Sequence, residues 1–89
     1  MTIEQRNEYK MEVERIALQF GFRFIGHGCM CSGGQLLYNA YRGSSTFQIA
    51  NWDARGYWHL YENRYKIDYG TDPNRLENKL QELWDISNN

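Results

Sequence analysis

The chain has 89 residues, 42% of them hydrophobic and 24% charged, with a net charge of −1 and a pI near 6.1. A chain this long supports one hydrophobic core, and the balance of apolar and charged residues excludes disordered, collagen-like and coiled-coil classes. No apolar run exceeds three residues, far short of the roughly 20 needed to cross a bilayer, and the small acidic excess argues against wholesale polyanion binding.

Thr2 is placed to cap a first helix with Gln5 at the third helical position, an arrangement in which each side chain bonds the other's backbone N–H. Tyr9, Val13, Ile16, Ala17 and Phe20 then recur at helical spacing and define one apolar stripe. Gly21 suits the left-handed conformation that ends a helix, with Phe22 folding back on the last turn. The spacing predicts a short strand over Phe22 to Ile25 and a loop over the glycine-rich stretch Gly26 to Gly34.

Gln35 to Arg42 and Thr46 to Trp52 read as paired strands joined at Gly43, Ser44 and Ser45. A turn over Asp53 to Gly56 leads to further strands over Tyr57 to Tyr61 and Tyr65 to Tyr69, separated by a turn centred on Glu62, Asn63 and Arg64. Asp72 followed by Pro73 opens a second helix, whose apolar face is Leu76, Leu80, Leu83 and Trp84, and Ser87 to Asn89 are expected to fray.

The resulting order, α-β-β-β-β-β-α, predicts one α+β domain over residues 1–89: an antiparallel meander of four to five strands with both helices on one face. Alternation assigns Leu36, Tyr38, Phe47, Ile49, Trp58 and Leu60 to the helix side. It leaves Leu37, Tyr41, Gln48, Trp52, Tyr57, His59 and Tyr61 on the opposite face. The order helix, strands, helix resembles that of double-stranded-RNA-binding domains, but the basic stretch that opens their last helix is missing. Here Asp72 to Lys79 carries two acidic and two basic residues, and no family is assigned.

His27, Cys29 and Cys31 place an imidazole and two sulfurs within five residues. Structural zinc sites draw on two separated ligand pairs, and the second pair is missing, so no metal or other cofactor is assigned. One intervening residue also makes a disulfide between the cysteines a strained ring that staples nothing distant. A cysteine nucleophile at Cys29 or Cys31, with His27 or His59 as base and Asp53 as orienting group, is the enzymatic reading. The glycines match neither a phosphate loop nor a dinucleotide-binding turn.

The aromatic content of 16% is concentrated between Tyr38 and Tyr69 and interleaved with Arg42, Arg55, Arg64 and Lys66. Strands favour such rings for packing, and half of them belong to the core. The remainder, with Tyr41, Trp52, Arg55, Tyr57, His59 and Tyr61 as binding residues, suits a non-enzymatic module that contacts a protein partner or a second copy of itself. Rings and cations on an open sheet also suit single-stranded nucleic acid. No membrane contact is implied. The N-terminus lacks the basic-then-apolar layout of a secretory leader, and the chain reads as cytoplasmic.

Overall fold

The computed structural model describes residues 2–28 and 34–87. Helix α1 (Ile3–Gln19) begins on the reciprocal cap, with the Thr2 hydroxyl accepting from the Gln5 N–H and the Gln5 side chain accepting from the Thr2 N–H. It ends as the sequence predicts. Gly21 takes φ +83°, the Phe22 N–H donates to the Ala17 carbonyl at 2.9 Å and the Gly21 N–H to the Leu18 carbonyl at 3.1 Å. Phe22 therefore belongs to the helix stop and not to a strand, and it stacks on Trp84, their centroids 5.8 Å apart.

Five strands follow: β1 (Arg23–His27), β2 (Leu36–Arg42), β3 (Ser45–Trp52), β4 (Tyr57–Glu62) and β5 (Tyr65–Gly70), then helix α2 (Pro73–Ser87). They form one antiparallel sheet in sequence order, the predicted meander. The expected loop from Gly26 needs correction, because Gly26 and His27 pair with Leu37 and Leu36 and extend β1. A bulge between Phe24 and Gly26, with Gly26 at φ +139°, uses a backbone conformation that other residues rarely adopt. Residues 29 to 33 of the expected loop lie outside the described residues, as do Asn88 and Asn89; α2 runs through Ser87.

Two hairpins close on two residues each. Gly43 and Ser44 join β2 to β3, while Asn63 and Arg64 join β4 to β5 with φ of 50° and 76°. Positive φ at both central residues is the type I′ geometry, whose twist matches that of the flanking strands.

Both helices pack on one face. Val13 and Ile16 from α1, Phe20 that caps its C-terminus, and Leu76 and Leu80 from α2 share a core with Phe47, Ile49, Trp58 and Leu60, and Leu83 packs against it. Burying each large aliphatic side chain stabilises the fold by about 1.5–3 kcal/mol. Polar ties fix the helices in place. The Trp58 indole donates to the Asp72 carbonyl at 3.0 Å just before α2, and Arg6 of α1 meets Asp53 of the β3–β4 turn at 3.0 Å. Among the described residues no helix is long and apolar enough to cross a membrane.

Candidate binding face of the sheet

Because side chains alternate along each strand and partners in register share a face, the pairing fixes what the helix-free side presents. One row crosses all five strands: Arg23 opposite Asn39, Asn39 opposite Gln48, Gln48 opposite Tyr61, and Tyr61 opposite Lys66. The next row runs through Gly26, Leu37, Ala50, His59 and Tyr69. Trp52 and Tyr57 pair beyond it, and Tyr41 pairs with Thr46 on the other side. Cations thus stand at both ends of the first row, and rings fill much of the rest.

His59 is the centre of the ring cluster. It stacks on Tyr57 at 5.3 Å and lies 5.7 Å from Trp52, 6.2 Å from Tyr61 and 6.1 Å from Tyr69 between centroids. Its Nδ1 is 3.3 Å from the Tyr61 hydroxyl. Burial among these rings and repulsion from Lys66 hold its pKa below the usual imidazole value. The Lys66 ammonium in turn sits 5.6 Å over the Tyr69 ring. Trp52 is anchored from its far edge by an indole hydrogen bond to the Gln35 side-chain carbonyl.

Beside the cluster lies a hollow of about 600 Å³ lined by Asn39, Tyr41, Thr46, Gln48, Tyr61, Asn63 and Arg64. Its floor is an amide pair, Gln48 Nε2 donating to Asn39 Oδ1 at 3.1 Å. That bond leaves Gln48 Oε1 as an acceptor and Asn39 Nδ2 as a donor, side by side and without another partner among the described residues. Tyr41, 73% exposed, stands at one corner and Tyr61 at the opposite one, with Arg64 at the rim. Asn63 secures the turn that carries Arg64, exchanging bonds with Thr46: its N–H to the Thr46 carbonyl at 2.8 Å and its side-chain oxygen to the Thr46 N–H at 3.0 Å.

Charge is segregated across the sheet. The chain has eleven carboxylates, and none projects from a strand on this face, although Asp72, just past β5, lines a second hollow of about 650 Å³ with Tyr57, His59, Tyr69 and Arg75. Glu4, Glu8, Glu12 and Glu14 are on α1, and Glu77, Glu82 and Asp85 on α2. Asp53 pairs with Arg6, Asp68 meets Arg75 of α2 at 2.9 Å, Asp72 caps α2, and Glu62 shares the helix side with Phe47. Arg23, Arg64 and Lys66 form no ion pair among the described residues.

Tyr41, Trp52, Tyr57, His59 and Tyr61 are thus brought together on the predicted face. Arg55 lies at the β3–β4 turn, its N–H bonded to the Trp52 carbonyl at 3.0 Å. Arg42 does not belong to the face: it stacks over Trp84, 4.6 Å from its centroid on the helix side. Arg23, Asn39 and Tyr69 are members that the sequence reading did not single out. His27 falls on the helix side, 5.5 Å from the Phe24 ring, in a small hollow shared with Arg6, Lys10 and Asp53.

His27 and His59 consequently face opposite sides of the sheet, and so do His59 and Asp53. Of the two suggested bases, His59 does not meet Asp53, whereas His27 shares a hollow with it. Cys29 and Cys31 lie outside the described residues; among those described, no three His, Cys, Asp or Glu side chains gather as metal ligands. Comparison with protein-family models, with curated proteins and with solved structures returns no match, so the functional reading rests on the site itself.

Proposed function

We propose that the chain is a non-enzymatic binding module whose helix-free sheet face receives a partner. The observation that carries this reading is the segregation just described: rings, amides and three unpaired cations share a face whose strands hold no carboxylate, with Asp72 at its margin beside Arg75, although the chain as a whole is slightly acidic. A stable core does not need it. The helices already cover the apolar side, and an exposed ring-rich surface on a small protein marks an interaction site.

The layout also bears on a second copy as partner. Two-fold pairing of this face against itself would bring cation rows together with no carboxylate to neutralise them, which is destabilising. Pairing with the acidic helix side of another copy would be head-to-tail, which builds a ring or an open filament and not the common two-fold dimer. Both arguments favour a partner of different composition.

Amide chemical-shift mapping tests the reading. The isotopically labelled protein is titrated with single-stranded oligonucleotide, with an acidic peptide, and with unlabelled protein. Shifts are expected in the two cross-strand rows and the Asn63–Arg64 turn, and they should be unchanged when Cys29 and Cys31 are replaced by serine. Shifts confined to α1 and α2, or none with any of the three, would overturn it.

A further inference from the structure

Building on the open face as the binding surface, we infer that its occupant is a single-stranded nucleic acid, with one base seated in the Tyr41–Tyr61 hollow and the backbone held by Arg64, Lys66 and Arg23. Three features of the face converge on this ligand. The first is charge: a polyanion is the partner attracted by a face whose strands carry cations at both sheet edges and no carboxylate, the nearest one, Asp72, standing beside Arg75 at the margin. Arg23 and Lys66 are separated by four strand spacings, about 19 Å, so the track is long enough for several consecutive phosphates.

The second feature is the floor of the hollow. Gln48 Oε1 and Asn39 Nδ2 present an acceptor beside a donor, the pattern by which amide side chains read the edge of a base that carries an amino group next to a ring nitrogen. An aliphatic ligand would leave both groups unpaired, and a carboxylate, which only accepts, would satisfy Asn39 Nδ2 but leave Gln48 Oε1 without a donor. Tyr41 and Tyr61 stand at opposite corners of that floor, two strands apart across the sheet (roughly 9.5 Å) and two residues apart along it (roughly 7 Å). A base seated on the amide floor can stack against either ring.

The third is the neighbouring ring row. Tyr69 is 64% exposed and carries Lys66 over its face, and Trp52 with Tyr57 continues the aromatic surface. Bases on either side of the seated one can stack there, a contact that tolerates any sequence. Duplex is a poor fit, because its bases are already stacked on one another and the sheet projects no helix or ribbon into a groove.

The strained turn agrees with this assignment. Arg64 occupies the second position of a type I′ turn, where glycine is strongly preferred. A long cation held there at φ 76° aims over the rim of the hollow, and glycine would contribute no charge.

The experiment uses fluorescence anisotropy of labelled single-stranded oligonucleotides about 12 nucleotides long, a length within the range of known single-strand sites, with duplex of the same sequence for comparison. Trp52 emission is followed in parallel, since Trp58 and Trp84 are buried in the core. Binding in the range of about 10⁻⁴ to 10⁻⁶ M is expected. Three neutralised phosphates give a log–log salt slope of about −2, which should shrink by roughly 0.7 in Arg64→Gln. Tyr41→Ala should weaken binding about 5- to 150-fold. Gln48→Glu, nearly isosteric, places a carboxylate on the floor and should abolish binding. Lys79→Gln on α2 should change nothing. Circular dichroism confirms that each variant is folded.

Failure of single strands to bind at low salt overturns the inference. If an acidic peptide still shifts Trp52 emission, the binding face survives with a protein partner; if neither ligand does, both readings fall. Equal affinity for duplex, or a loss caused by Lys79→Gln and not by Gln48→Glu, also overturns it.

Discussion

Replacing Arg64 with glycine should make the protein more stable while weakening its binding face. An L-residue in the left-handed region costs about 1–2 kcal/mol, and Arg64 sits there at φ 76°. Glycine removes that strain, although its greater freedom in the unfolded chain takes back about 0.5–1 kcal/mol. The net gain is about 0.5–1 kcal/mol. For a domain of this size each kcal/mol moves Tm by about 4–8 °C, so a rise of roughly 2–8 °C is expected. Asn63, at φ 50°, tolerates the left-handed conformation and completes an Asn-Gly turn with the new residue. Thermal unfolding followed by circular dichroism measures the shift. Arg64→Ala is the control, because it removes the guanidinium and keeps the strain; its Tm should stay near that of the parent. The reasoning is refuted if glycine lowers Tm, or if alanine raises it equally, which would locate the effect in the lost side chain.

The elements were legible because their signals are local. A cap, a 3.6-residue stripe and a glycine stop define α1 within a few turns, and alternation sorts most residues of β2, β3 and β4 onto the correct side. The face was harder to read. Arg42 shares its parity with Leu36 and Tyr38, so alternation alone already places it with the helices, where its guanidinium stacks on Trp84. Arg23 could not be placed this way. The bulge between Phe24 and Gly26 breaks the alternation of β1, and the row joining Arg23 to Lys66 depends on the register of four successive pairings. Gly26 misleads for a related reason: glycine ordinarily signals a loop, and here it permits the bulge inside a strand.

The remaining predictions concern two polar groups on opposite sides of the sheet. Asn51 is fully buried on the helix side, and neither its Oδ1 nor its Nδ2 has a partner among the described residues. Asn51→Val, closer in volume and suited to a strand, removes the desolvated amide, so urea unfolding should show a gain of about 1–3 kcal/mol; a loss would mean that the amide is satisfied. His59, on the open side, should make stability and binding respond to pH in opposite directions. The groups around it are Lys66 and Tyr69 of β5, Tyr57 and Tyr61 of its own strand, the uncharged Trp52 and Ala50 of β3, and Asp72 and Arg75, which line the hollow beside it. Burial first, and Lys66 second, disfavour the imidazolium. Its folded pKa therefore lies below the unfolded value of about 6.5, and between the two the unfolded chain binds more protons. Stability rises with pH across that interval: the contribution is complete above the unfolded pKa and is lost as pH falls toward the folded one. Tm measured at about pH 7.5 and about pH 5.5 should differ more in the parent than in His59→Phe, in which every other titrating group is retained. Lys66→Gln should raise the imidazole pKa in an NMR titration. A bound phosphate backbone favours the imidazolium, so oligonucleotide affinity should increase over the same fall in pH that lowers Tm, and His59→Phe should reduce both trends. Identical pH dependence in the parent and His59→Phe, or an imidazole titrating at or above its ordinary value, would remove His59 from both roles.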